Sequence, residues 1–256
     1  MPRCCSGDSV RITAGPGIEV EGLGTPSDPF LISSLGLTLL SGQVFTSNDN
    51  YSLPDGARFL RVRLVGPGGA GGGSALNSAA QASVGGGGSS GSYVEALIDA
   101  TTLAPVTAVS VGTGGAGASG AAGGNGTQAS FGAGIIAPGG PGGQTAQVAT
   151  ATNSILTAAG GLGATPPGPA GVLWYFALPG ETGDRGMIIN NSPLGGYGAA
   201  SRLGVRARTA NPGTTASGAI GGQYGGGGSG GQGIPSGAAT LGGPGRPGVV
   251  IVEAFA

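Results

Sequence analysis

Alternation of apolar and polar positions is confined to a few short stretches of the chain. In RFLRVRLV (58–65), Leu60, Val62 and Leu64 share one face while Arg61 and Arg63 share the other, as in a strand buried on one side. YVEALIDA (93–100) sets Val94, Ala96 and Ile98 against Glu95, Leu97 and Asp99, and VTAVSV (106–111) and VVIVEAF (249–255) continue the series. A 3.6-residue apolar period is absent, and glycine at this density lowers helix stability by roughly 1 kcal/mol per residue. The pattern predicts an all-β chain of short antiparallel strands, with little or no helix.

Between these strands lie GPGGAGGG (66–73), GGGGSSG (85–91), GTGGAGASGAAGGNG (112–126), PGGPGGQ (138–144), GGQYGGGGSGGQG (221–233) and GGPGRPG (242–248). The strict Gly-X-Y period of collagen is missing. An extended helix of the polyglycine II type remains open to these tracts, with three residues per turn, ~3.1 Å rise and no internal hydrogen bonds. Its donors and acceptors must find partners on other segments. Glycine allows that, because no side chain separates neighbouring backbones. The tracts are therefore expected to be core.

Composition supports this over disorder. Gly and Pro number 61 and 18, yet only 8% of residues are charged, 39% are hydrophobic and the mean hydropathy is +0.22, opposite to a solvated disordered chain. No charge occurs from 64 to 94 or from 101 to 180. Such stretches need cover from each other or from sister chains, which predicts a homo-oligomer, most simply a trimer.

Residues 1–40 read as an arm separate from a domain at 41–256. VRITAGPGIEVEG (10–22) is two short strands around 14–17, with either a bulge or pairing to another chain, followed by the Pro-broken GTPSDPFLISS (24–34). Cys4 and Cys5 are adjacent, so they strain against bridging each other and cannot alone hold zinc. They read as two reduced thiols on a short arm, with an inter-chain bond as the alternative. No apolar run reaches the ~18 residues of a membrane helix, and the start lacks the apolar stretch of a secretion signal.

Candidate chemistry is sparse. There is no His, and all ten cations are Arg, which removes imidazole triads, imidazole metal sites, a Walker loop and a Schiff base. The arginines are scattered at a net charge of −1, unlike a phosphate-tracking surface, so no nucleic acid is expected. Gly112–Gly117 matches GxGxxG, but ASGAAGGNG follows it where a dinucleotide site needs a helix. Glu181 and Asp184 in PGETGDRG are expected to form a solvated loop with Arg185, and Glu95 with Asp99 a solvent face of a strand. No catalytic residue, cofactor or metal ligand is assigned.

RVRLVGPGGAGGG, SYVEALIDA, VTAVSVGTGGAGASGAAGGNGTQASFGAGIIAPGGPGG, GGGGSGGQG and the terminal GGPGRPGVVIVEAFA, in this order, resemble the glycine-rich domain of bacteriophage tail-fibre and tail-tip proteins over about residues 43–256. The segment AGPGIEVEGLGTPSDPFLIS is similar to parts of phage minor tail proteins. The resemblance implies a virion component made in the host cytoplasm, commonly a trimer. Stacked polyglycine helices would carry loops toward a glycan or protein of the bacterial envelope, and residues 1–40 would join other tail proteins. A tail glycan depolymerase, and an architectural plug or head fibre, are the rival functions. GVLWYFALPGETGDRGMIINN (171–191) departs from the glycine pattern.

Within that frame Trp174, Tyr175, Tyr197 and Tyr224 are the expected receptor-binding residues, because an aromatic ring stacks on the apolar face of a sugar while Tyr and Trp add a polar edge. The competing reading for VLWYFAL (172–178), a continuous apolar run, is a buried strand or a trimer seam.

Overall fold

The computed structural model describes residues 18–21, 25, 27, 29, 31–34, 36–144, 147–150, 156–158 and 172–256; Cys4, Cys5 and the strand expected around Val10–Ile12 lie outside them. The chain divides into two compact units, Met1–Leu39 and Leu40–Ala256. In the first, β1 (Ile18–Glu21) pairs antiparallel with β2 (Leu31–Ser34).

The second unit is all-β: the structure is 35% strand and 2% helix, and the helix among the described residues is one 3-10 turn, Ala100–Thr102. Its strands are β3 (Leu39–Phe45), β4 (Asp49–Ser52), β5 (Phe59–Val65), β6 (Gln81–Val84), β7 (Tyr93–Asp99), β8 (Val106–Ser110), β9 (Ala129–Phe131), β10 (Ile135–Ala137), β11 (Gln147–Thr150), β12 (Leu156–Ala158), β13 (Trp174–Leu178), β14 (Gly186–Ile189), β15 (Ser192–Leu194), β16 (Gln232–Gly233) and β17 (Val249–Phe255). A five-stranded sheet in the order β13-β7-β5-β17-β3 faces a four-stranded sheet, β10-β9-β8-β4.

The predicted alternation builds the core between these sheets. Leu60, Val62, Leu64, Val94, Ala96, Ile98, Val250 and Val252 meet Tyr51, Val109, Phe131 and Ile135, all essentially buried. Tyr51 lies 5.6 Å from Phe131 and 6.5 Å from Phe45 between ring centroids.

The glycine tracts leave this sandwich and return to it as extended segments that bond to one another. In 66–73 the backbone N–H groups turn with a period of three. Gly68 and Gly71 donate to Arg246 and Gly243, Gly69 and Gly72 to Ser89 and Gly86, and Ala70 and Gly73 to Gly124 and Ala121, all at 2.8–2.9 Å. The carbonyls return the pattern: Pro67 and Ala70 accept from Gly140 and Gly143, Gly69 and Gly72 from Gly228 and Gly231, and Gly68 from Gly115. Segment 66–73 is thus bonded to six neighbours, as a helix with threefold rotation must be when its own turns make no bonds. Partner numbers fall as 66–73 rises for the three segments it donates to, and rise with it for the donors Gly140/Gly143 and Gly228/Gly231. The array therefore mixes antiparallel and parallel contacts.

Close approach is what requires glycine here. A Cβ on Gly71 would sit 2.0 Å from the Ser229 carbonyl oxygen, and one on Gly69 would sit 2.1 Å from that of Pro141. Two serines among the glycines use their side chains for bonding. The Ser229 hydroxyl accepts from the Ala219 N–H (2.7 Å), and the Ser90 hydroxyl accepts from the Glu181 N–H (2.8 Å).

The 171–191 departure is only partial. Val172–Leu178 supplies β13 on the edge of the five-stranded sheet, and 179–184 rejoins the array, with Glu181 accepting from Ser90 N–H and Asp184 from Gly87 N–H. Away from the sandwich, β14 pairs with β12 and with β15. Asn190 and Asn191, at φ 49° and 59°, make the turn between β14 and β15, as a tight hairpin of this hand needs.

Candidate ligand-binding face

The outer face of the five-stranded sheet carries the polar half of the alternation. Neighbouring strands place Arg61 and Arg63 (β5) beside Glu95 (β7) and Glu253 (β17), and the bonded pairs are diagonal ones. Arg61 Nε donates to Glu95 Oε1 at 2.6 Å, and Arg63 Nη2 donates to Glu253 Oε1 at 3.0 Å. The Tyr93 hydroxyl donates to the other Glu95 oxygen at 2.7 Å. Glu95 and Asp99 both lie on this outer side, as expected of a solvent face, but the Glu95 side chain is only 13% exposed and tied on both oxygens, while the partly exposed Asp99 caps the 3-10 turn through the Thr101 N–H. In the expected loop of Glu181, Asp184 and Arg185 the Glu181 and Arg185 side chains are exposed, but the Glu181 and Asp184 carbonyls are bonded into the array and the Asp184 carboxylate pairs with Arg206 rather than Arg185.

Along the edge strand, Trp174 and Phe176 point to this outer face and remain 50% and 41% exposed. Their rings lie 6.2 Å apart and nearly parallel (13°), and Phe176 meets Tyr93 edge-on at 6.5 Å. The Arg202 guanidinium sits 6.0 Å from the Tyr93 ring centroid. Arg202 and Leu203 form the tip of a tight turn closed by reciprocal backbone bonds between Ser201 and Gly204, at 3.0 and 3.4 Å. The Ser201 hydroxyl also donates to the Tyr224 carbonyl, which holds the turn against the sheet.

The four expected aromatics therefore part company. Trp174 lies on the outer face, in neither a buried strand nor a covered seam of the single chain. Tyr224 is partly buried against Val65, Tyr93 and Val249. Tyr175, one residue on, faces the sandwich core. Tyr197 lies in the array segment 194–200 with the Arg206 guanidinium 5.4 Å over its ring, apart from the Trp174 cluster. Phe176, Tyr93 and Arg202 join the face without having been singled out. Alternation could have placed Tyr93 with Glu95, but nothing local brings the 201–204 turn to β7.

Two adjoining cavities of about 280 and 200 Å³ share Tyr93 and Arg202. A third, of about 290 Å³, opens at the sandwich end among Ile98, Leu103, Phe131, Ile135 and Val172, and its wall is mainly apolar. In the first pair, burial and the hydrogen bond to Glu95 push the Tyr93 hydroxyl up to about 12, so it stays a donor throughout the physiological range. Burial alone would raise the Glu95 carboxyl; hydrogen bonds from Tyr93 and Arg61 and the charges of Arg61 and Arg63 outweigh it and hold the group below its ordinary value.

Because the folded group titrates below its unfolded value of ~4.3, Glu95 contributes stability above that pH and loses it as pH falls through the folded value. Thermal melts should therefore show Glu95→Gln less stable than the wild type near pH ~7 and losing less Tm between about pH 6 and pH 3. Parallel curves for the two proteins would remove Glu95 from the network.

The fold and face define a class: an all-β protein that presents one rigid sheet face on a lattice of hydrogen-bonded glycine segments. The chain belongs to the glycine-rich domain family, whose model matches residues 43–255. No curated protein matches it.

Proposed function

We propose that this protein is a structural component of a phage tail, a tail fibre or tail-tip adhesin that binds the bacterial surface noncovalently. The observation that supports this reading best is the stacked pair Trp174-Phe176, held open to solvent beside the buried Tyr93 ring on a sheet whose reverse face is locked into the sandwich core. Exposed aromatics on a rigid support suit sugars and loop side chains, since little entropy is lost on binding. The order of the glycine motifs supports the tail assignment. The homotrimer and the attachment role of residues 1–40 belong to the same reading.

Labelled full-length protein should adsorb to cells of some strain in a bacterial panel and release no reducing sugar from their envelopes. Release of sugar would make it a depolymerase, and no adsorption to any strain would leave an architectural part. A chain starting at residue 41 should adsorb equally well yet fail to enter virions. Light scattering should give about three times the 23.9 kDa chain mass, and a stable monomer would sink the trimer.

A further inference from the structure

We infer that the groove where the five-stranded sheet meets the 201–204 turn binds a carboxylate-bearing sugar, with Arg202 meeting the carboxylate and the Trp174-Phe176 strip taking the adjoining sugar rings. The inference rests on the adhesin reading and names its ligand class.

The groove is a built cavity of about 280 Å³ with Tyr93, Arg61, Arg63 and Arg202 in its wall. The arginines differ in what they already hold. Arg61 is engaged by Glu95 and Arg63 by Glu253. Arg202 has no carboxylate within ion-pair distance among the described residues and leans on the Tyr93 ring, with its fork of donors free. Arg63 Nε is buried in the same cluster with no hydrogen-bond acceptor. A donor left without an acceptor is unfavourable and adds to the positive character of the cluster.

The charge balance selects the anion. In the cavity of about 280 Å³ Arg61, Arg63 and Arg202 face Glu95 in the wall and Glu253 behind Arg63, which leaves one positive charge, that of Arg202. A monoanionic carboxylate suits that surplus. A phosphomonoester, at about −1.5 to −2, would meet the glutamates with charge left over. The guanidinium fork also matches a carboxylate in bidentate geometry.

The aromatic strip starts at the same residue. Tyr93, under Arg202, contacts Phe176, which contacts Trp174 at centroid spacings of 6.5 and 6.2 Å. An acidic oligosaccharide anchored at Arg202 would lay its following rings along exposed aromatic surface.

Trp174 is the one tryptophan of the chain, so its fluorescence reports this face directly. The full-length protein is titrated with galacturonic acid oligomers and, in parallel, with their methyl esters, which keep the rings and remove the charge. The acid should change Trp174 emission saturably and bind about tenfold or more tighter than the ester, a gap that narrows as salt is raised. Arg202→Gln should weaken the acid about tenfold and leave the ester unchanged, while Arg58→Gln, an exposed arginine away from the groove, should change neither.

Equal affinity for acid and ester, an Arg202→Gln protein that binds as well as wild type, an equal loss in Arg58→Gln, or no binding at all would each overturn the assignment. Trp174 shielded from acrylamide in an oligomer that binds no sugar would make the face a seam between copies. Cell adsorption separates the two levels. Protein that binds galacturonate but adsorbs to no cell keeps the site and loses the adhesin, and protein that adsorbs without binding galacturonate does the reverse.

Discussion

Gly71→Ala is expected to lower the melting temperature by ~8 °C or more, or to prevent folding, whereas Gly134→Ala leaves it almost unchanged. A methyl on Gly71 would lie 2.0 Å from the Ser229 carbonyl oxygen and 2.4 Å from its carbon. Neither backbone can give way locally. Gly71 N–H is bonded to Gly243, Ser229 N–H to Ala219, and the Ser229 carbonyl accepts from Gly243 N–H. Separating the segments breaks several buried backbone bonds at ~1–3 kcal/mol each, in addition to the ~1–3 kcal/mol of an ordinary overpacked core. The sum exceeds ~4 kcal/mol, enough to lower Tm by ~8–16 °C or to prevent folding in a domain of this size. At Gly134 nothing lies within 4 Å of the added methyl and φ is not positive, so alanine there should shift stability by less than ~0.5 kcal/mol. Calorimetry on the two variants decides the matter, and a Gly71→Ala protein that melts like the wild type would falsify the lattice as described.

Trp174→Ala and Tyr175→Ala are expected to fail in opposite ways although they are adjacent. Trp174 is half exposed on the outer face, so its removal should cost under ~1 kcal/mol of stability while cell adsorption falls tenfold or more. Tyr175 packs against the sandwich core, and truncating it should cost about 1–3 kcal/mol, with adsorption dropping only as far as the folded fraction does. Melting curves and adsorption assays on both variants give four values. If Tyr175→Ala loses adsorption with an unchanged melt while Trp174→Ala unfolds, the binding face is on the other side of β13.

Much of the fold was legible because its rule is local. Alternation in RFLRVRLV and YVEALIDA follows from the two-residue period of a strand, and each apolar set lies in the core. The glycine tracts were legible as core for a similar reason: a run without charge or side chains can satisfy its backbone only against other backbones. Membership of the lattice was harder to see where glycine thins out. Segment 179–184 contains Glu181, Thr182 and Asp184, and it joins the array because its carbonyls, not its side chains, meet segment 85–92.

The candidate face was legible in part. Trp174 and Phe176 share a face by the same two-residue period, but an apolar run on an edge strand reads identically whether its outer side is covered or open. Only the tertiary packing, which buries Tyr175 against the core and, among the described residues, lays nothing over the opposite side of β13, leaves that side exposed.

By itself, then, the sequence determined the all-β class, the strand faces and the need for glycine segments to bond one another, since these follow from composition and short-range period. The tertiary structure alone decided which segments are neighbours, that 66–73 is enclosed by six of them, and that Arg202 comes to rest over Tyr93. Segments of nearly the same glycine composition offer identical donors and acceptors, so no local signal distinguishes one partner from another. The choice is made by the strands and turns at their ends, which set where each segment enters the lattice.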